Sequence, residues 1–177
     1  MQIDNVFRVL YLDFDGVLHP FGEPALGDDF GLLPNPNLFR WLPILESLLS
    51  GHPDVRIIVS SDWHRLFDDA TLKRLLGPVG GRFHGVIEAV GKSRASEILA
   101  DAKKRGLKDW IAIDDHPTVR DASLSDCRFV ACDPATGIGD PGVQWVLSVI
   151  LSSSRCIVLL SESQYTDCQS TNSSLVS

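Results

Sequence analysis

The sequence predicts an α/β fold in which a parallel, Rossmann-like sheet is sandwiched by helices, and three observations carry that expectation. Short apolar runs recur at Val9-Leu10-Tyr11-Leu12, Val55-Arg56-Ile57-Ile58-Val59 and Trp110-Ile111-Ala112-Ile113, the pattern of strands buried on both faces. Amphipathic helical patterns alternate with these runs, as parallel connections require. Each run also stops at polar groups: Asp13 and Asp15, Ser60 and Ser61, then Asp114 and Asp115. In an open parallel sheet ligands bind beyond the carboxyl ends of the strands, so these groups are expected on one rim.

The first run leads into Asp13-Phe14-Asp15-Gly16. Residues i and i+2 of an extended chain point to the same side, and the glycine lets the backbone turn beneath them. Two acids so placed repel each other unless a cation or a shared proton holds them, which is costly as scaffolding. The plainer reading is a polar strand end entering an Asp-Gly turn. A Gly/Pro-rich loop from Pro20 to Pro34, long enough to act as a small flap, follows. Asn35 can cap and Pro36 can open a helix bearing Leu38, Phe39, Leu42, Leu45 and Leu49, kinked at Pro43 and ending near Gly51. One helix, about residues 65–76, fills the interval after Ser60-Ser61. Lys92 stands beside the cap candidate Ser93, ahead of a helix to about Arg105 with Ala95, Ile98, Leu99 and Ala102 on one face. Cys127 to Cys132 supplies another strand, and Gly142 to about Leu151 a last helix.

With 177 residues and 44% apolar content, the chain is long enough for one substantial core. Residues 1–151 are read as one domain, and 152–177 as a flexible Ser/Thr-rich tail with one further strand at Cys156 to Leu160. A net charge of −7 argues against stable non-specific binding to nucleic acid. No basic N-region precedes an apolar run at the start of the chain, and Val143 to Leu160 is broken by Ser152-Ser153-Ser154-Arg155, so neither a secretory signal nor a membrane span is expected. Cys127, Cys132, Cys156 and Cys168 lack metal-ligand spacing and read as reduced thiols in a cytoplasmic protein.

The polar groups suggest a chemistry. Mg²⁺ is commonly held by one or two carboxylates plus substrate phosphate, and Asp13 and Asp114 are the natural side-chain ligands, with Asp115 direct or acting through water. The Ser60 hydroxyl and backbone N–H are placed to hold a phosphate oxygen, with Ser61 as the alternate; a simple capping turn is the competing reading. Trp63 is either a stacking platform for a base or sugar or part of the core, and His19 lines the mouth of the site or packs a turn. Arg65, with Lys73, Arg74, Arg94 and Arg120, offers further phosphate contacts or only a solvated surface.

Asp13-x-Asp15, Ser60, Lys92 and Asp114/Asp115, in that order, resemble the haloacid dehalogenase (HAD) superfamily of aspartate-nucleophile phosphotransferases over roughly residues 8 to 135. Leu-Asp-Phe-Asp-Gly-Val-Leu-His-Pro, Ser-Ser-Asp-Trp-His and Ile-Asp-Asp-His-Pro look like the small bacterial HAD domains associated with RNA-repair proteins. The resemblance implies a HAD-like fold and a phosphatase that forms an aspartyl-phosphate on Asp13. Asp15 would then be general acid and base and would add its backbone carbonyl to the metal, while Lys92 would supply positive charge at the phosphate. Dehalogenating relatives lack the second acid, so Asp15 favours phosphoryl transfer. The expected substrate is a phosphomonoester, on a small molecule or a nucleic-acid end; no interval is long enough for a large cap domain, and capless relatives tend to act on large substrates or borrow a lid from a partner chain. The rival readings are an end-processing module working with repair partners and a catalytically idle interaction domain.

Overall fold

A computed structural model describes residues 7–28, 31–88 and 91–153. Five parallel strands form one sheet in the order β3-β2-β1-β4-β5: β1 Arg8–Leu12, β2 Val55–Val59, β3 Phe83–Val86, β4 Trp110–Asp114 and β5 Phe129–Ala131. The central strand β1 pairs with β2 through Leu12↔Val59 and with β4 through Leu12↔Ile113, which aligns the ends of these strands. The chain order reverses at β1, where a parallel α/β sheet opens its ligand crevice.

Alternation along each strand sends side chains to two cores. Leu10, Leu12, Ile57, Val59, Ile111 and Ile113 pack on one face with helices α1 Leu42–Leu49, α2 Asp69–Leu75 and α5 Pro141–Ser152. Val9, Tyr11, Ile58 and Ala112 pack on the other with α3 Arg94–Lys104 and α4 Pro117–Ser123. Arg8, buried at the start of β1, donates to Asp109 and to the carbonyl oxygens of Ile150, Leu151 and Ser153, tying down the end of α5.

Several local expectations are corrected. The first helix begins only at Leu42, because Asn35 forms an Asx turn with the Asn37 N–H at 2.9 Å and Phe39 takes a positive φ of 56°. Pro43 lies in the first turn of α1, where its missing N–H costs no helical bond, so it does not kink the helix. The expected helix over about 65–76 is a 3₁₀ turn, Asp62–Arg65, followed by α2, which Asp68 caps. The strand β3 and helix α4 were not anticipated. Cys127 is disulfide-bonded rather than reduced, whereas Cys132 is a buried free thiol; spacing along the chain does not report the Cβ separation that decides pairing. The Pro20-to-Pro34 loop is tied down where it is described, through Phe21 N–H to the Pro134 carbonyl and through Asn35 to Glu23. No large cap interrupts the sheet connections, and no helix among the described residues is long and apolar enough to cross a membrane. The expected strand at Cys156 to Leu160, and all but the first two residues of the expected tail, lie outside the described residues.

Candidate active site

The site forms where β1, β2 and β4 end together. The Asp13 N–H donates to the Ile113 carbonyl at 3.2 Å and the Ser60 N–H to the Leu12 carbonyl at 2.9 Å, so the ladder continues one residue past each strand before the chain turns away. Oxygens of Asp13, Asp114 and Asp115 lie within 4.8 Å of one another. Gly16 makes room for this cluster: its φ is +67°, and a Cβ there would lie 2.1 Å from Asp115 Oδ2. Only glycine satisfies both the backbone conformation and the space.

The carboxylates are held at an electrostatic cost. Asp13 is raised well above the ordinary carboxylate range, first by burial and then by the Asp114 charge, with Arg94 opposing. Burial pushes Asp114 up to about 6, again against Arg94, and Asp115 is raised by burial and by the charge of Asp15. Asp114 Oδ1 accepts the His116 N–H at 2.8 Å, while Oδ2 is buried with no hydrogen-bond partner. Among the described residues, Ser60 Oγ and Arg94 Nε are buried without a hydrogen bond as well, although Arg94 Nε and Asp114 Oδ2 meet as an ion pair at 3.3 Å. Three such atoms at one rim are unusual, since buried polar groups nearly always find partners.

Arg94 is the residue that sequence reasoning undervalued. It opens α3, and its guanidinium is buried between strand ends, with Nε 3.3 Å from Asp114 Oδ2, NH1 donating to the Ser60 carbonyl and NH2 3.5 Å from Asp62. Its only sequence signal was a place directly after the cap Ser93, two residues beyond Lys92. Lys92 itself is exposed, and among the described residues no carboxylate lies in ion-pair range of it. It lines an open cleft of about 200 Å³ beside the carboxylates, together with Arg65, Arg94, Asp62, Glu97 and His116. Arg65 pairs with Asp62 at 3.5 Å.

The two serines divide the roles weighed for them. Ser61 caps the 3₁₀ turn by accepting from the Trp63 N–H and also hydrogen-bonds the Asp13 carboxylate, while Ser60 makes no side-chain hydrogen bond among the described residues. The Ser60 N–H, expected to hold phosphate, is engaged in the sheet instead. Trp63 is 4% exposed and packs against Phe14 and Phe39 at 5.7 and 5.4 Å, so it presents no face for stacking a base. Its indole N–H donates to Asp15 Oδ2 at 2.7 Å. His19, expected at the mouth of the site, is buried with Nε2 3.0 Å from Asp15 Oδ1. The Asp15 side chain therefore turns to these two rings, and the carboxylate cluster is completed by Asp115.

A capless parallel sheet carrying Asp-x-Asp at the end of β1, a serine at the end of β2 and an acidic pair at the end of β4 defines a HAD-like domain. The chain matches, over residues 9–143, the family described as the HAD domain in Swiss Army Knife RNA repair proteins, and it belongs to that family. Comparison with curated proteins and with solved structures gave no match.

Proposed function

We propose that this domain is a Mg²⁺-dependent phosphatase that hydrolyses a phosphomonoester through an aspartyl-phosphate. The observation that carries the reading is the meeting of Asp13, Asp114 and Asp115 within 4.8 Å beside a buried Ser60 hydroxyl that has no hydrogen-bond partner among the described residues. The donor set suits a hard divalent cation, being all carboxylate oxygen and including Asp114 Oδ2, which accepts no hydrogen bond among the described residues. Asp13, Asp114 and Asp115 would hold it, with the Asp15 backbone carbonyl that the family resemblance adds. When bound, the cation would offset the repulsion between the Asp13 anion and a phosphate.

In this reading Asp13 attacks phosphorus as the bond to the leaving oxygen breaks, and Asp15 gives that oxygen its proton. Asp15, now a carboxylate, takes a proton from water; the water attacks phosphorus, the bond to Asp13 breaks, and inorganic phosphate leaves. The Ser60 hydroxyl donates to a non-bridging oxygen. Arg94 holds the ends of β2 and β4 in place, and Lys92, at the edge of the cleft, meets the phosphate or the group behind it. Hydrolysis of an aryl phosphate with Mg²⁺, lost in excess chelator and in Asp13→Asn, tests the proposal; full turnover in chelator would overturn it.

A second reading is favoured by the family's description, which names RNA repair proteins. It makes the substrate a phosphate at an RNA end, presented by partners, with Arg65 and Lys92 in the open cleft meeting the adjoining strand. The lack of a large cap suits a phosphate displayed on a large molecule. Comparing kcat/KM for end-phosphorylated oligoribonucleotides with that for small phosphates decides between the readings, and a salt-dependent gel shift reports the strand contact.

A further inference from the structure

We propose that His19 and Trp63 are positioning residues that clamp the Asp15 carboxylate as the proton donor and acceptor of the site. The inference deepens the phosphatase reading and rests on it. Asp15 receives two N–H groups, one on each oxygen: His19 Nε2 lies 3.0 Å from Oδ1 and the Trp63 indole N–H 2.7 Å from Oδ2. The Phe39 backbone N–H donates to His19 Nδ1 at 3.5 Å, so the ring proton sits on Nε2 and points at Asp15.

The backbone is shaped to make this contact. The chain turns tightly after Asp13, with the Leu18 N–H donating to the Phe14 carbonyl at 2.8 Å, and brings His19 back over Asp15. Phe39, with φ of 56°, is the one described non-glycine residue in the left-handed region, a conformation a bulky residue adopts only when its surroundings demand it. Its ring lies 5.3 Å from His19 and 5.4 Å from Trp63, and Phe14 closes the same wall. Two buried donors thus fix a carboxylate whose side chain is still 32% exposed. Each oxygen keeps a second lone pair on its open edge, where a proton can be given or taken. The same clamp withholds the Asp15 side chain from the cluster of Asp13, Asp114 and Asp115, separating the proton-transfer carboxylate from those suited to a cation.

Single-turnover formation of the phospho-enzyme from an alkyl and from an aryl phosphate tests the clamp. Trp63→Phe removes one N–H and keeps a ring; His19→Leu removes the other donor, and His19→Gln supplies an amide N–H in its place. The alkyl rate should fall roughly ten-fold or more in Trp63→Phe and His19→Leu and the aryl rate much less, because only the alkoxide needs its proton early. His19→Gln should recover part of the alkyl loss. A measurement without turnover accompanies this. The Trp63 indole proton resonance, assigned by its loss in Trp63→Phe, should move upfield in Asp15→Ala, where its acceptor is gone. Equal losses with both substrates, or an indole resonance indifferent to Asp15→Ala, would overturn the clamp. Absence of any Asp13-dependent turnover in the wild-type protein would instead overturn the phosphatase reading.

Discussion

Two of the buried polar clusters on this sheet differ in a way that separates scaffold from candidate site. Between β1 and α3, Asp101 is 2% exposed and fully engaged: Oδ2 accepts from the Tyr11 hydroxyl and from Arg105 Nε, each at 2.7 Å, and Oδ1 from the Glu88 N–H at 3.3 Å. At the strand ends Asp114 is fully buried, yet among the described residues its Oδ2, Arg94 Nε and Ser60 Oγ make no hydrogen bond, Oδ2 and Nε meeting only as an ion pair at 3.3 Å. A buried polar group left unmet costs about 1–3 kcal/mol, so the first cluster stabilises the fold and the second is tolerated in spite of it. A satisfied network needs nothing from outside the protein; an unsatisfied one is poised to take a ligand.

The sharpest way to break this comparison is Asp13→Asn. On the proposed reading it removes the attacking anion, and phosphatase turnover should drop by about a thousand-fold or more while the fold persists. Because Asp13 ionises at an electrostatic cost, the amide should melt no lower than the wild type in chelator. Near-wild-type turnover in Asp13→Asn, measured on protein with native circular dichroism, would remove Asp13 from the chemistry.

Asp101→Ala is the reciprocal case. It leaves the Tyr11 hydroxyl and Arg105 without their acceptor, and stability should fall by about 3 kcal/mol. Turnover per folded molecule should be retained. A urea titration paired with activity separates the two; lost activity at full stability would mean that this cluster also serves the site.

The clusters were not equally legible in the sequence. Asp13, Ser60, Asp114 and Asp115 could be read because each follows an apolar run in the chain, and strand ends share a rim by topology alone. Arg94 could not, because its importance comes from burial between β2 and β4, which spacing does not encode. Nor could the Asp15 partners, since Trp63 and His19 reach it from different loops. Strand β3 escaped notice because Phe83-His84-Gly85-Val86 is a four-residue edge strand with a register shift and a glycine at φ 131°, leaving no alternation to see. Helix α4 buries only Val119 of its seven residues, too little for a helical period. Phe39 fitted that period yet lies in a left-handed turn, because its N–H and ring are directed to His19.

Metal and pH probe the unsatisfied cluster together. Asp114 rises from 3.8 in the unfolded chain to about 6, and Asp13 and Asp115 rise too, so the folded protein binds more protons in this range. Stability in chelator is thus greatest below about pH 4 as far as these groups decide it, and it is lost as pH climbs through about 6. The Asp114 share is on the order of 3 kcal/mol. Asp68 and Asp126 are shifted down and act only below the ordinary carboxylate range, outside this window. At pH 7.5, Mg²⁺ should restore the loss and raise the melting temperature, as a ligand of the folded state alone must. Asp114→Asn should flatten the pH dependence and weaken the Mg²⁺ effect; an unchanged response to both would exclude Asp114 as a ligand.

Ser60→Ala should have the smallest effect on stability. Most buried hydroxyls leave an unmet partner behind when removed, but Ser60 Oγ has none to lose, so the change in unfolding free energy should lie within about 0.5 kcal/mol of zero. Ser61→Ala, which deletes the cap on the Trp63 N–H, should cost about 1 kcal/mol, so adjacent serines of equal burial give different answers. On the proposed reading a phosphate oxygen loses a donor without the Ser60 hydroxyl, and kcat/KM should fall by roughly ten- to a hundred-fold. In activity Ser61→Ala should show a loss as well, because the Ser61 side chain hydrogen-bonds the Asp13 carboxylate. Urea midpoints and steady-state kinetics on the two variants provide the check. A loss above about 2 kcal/mol in Ser60→Ala would mean that this hydroxyl does have a partner in the folded protein. The contrast between a satisfied and an unsatisfied cluster would then no longer mark the site.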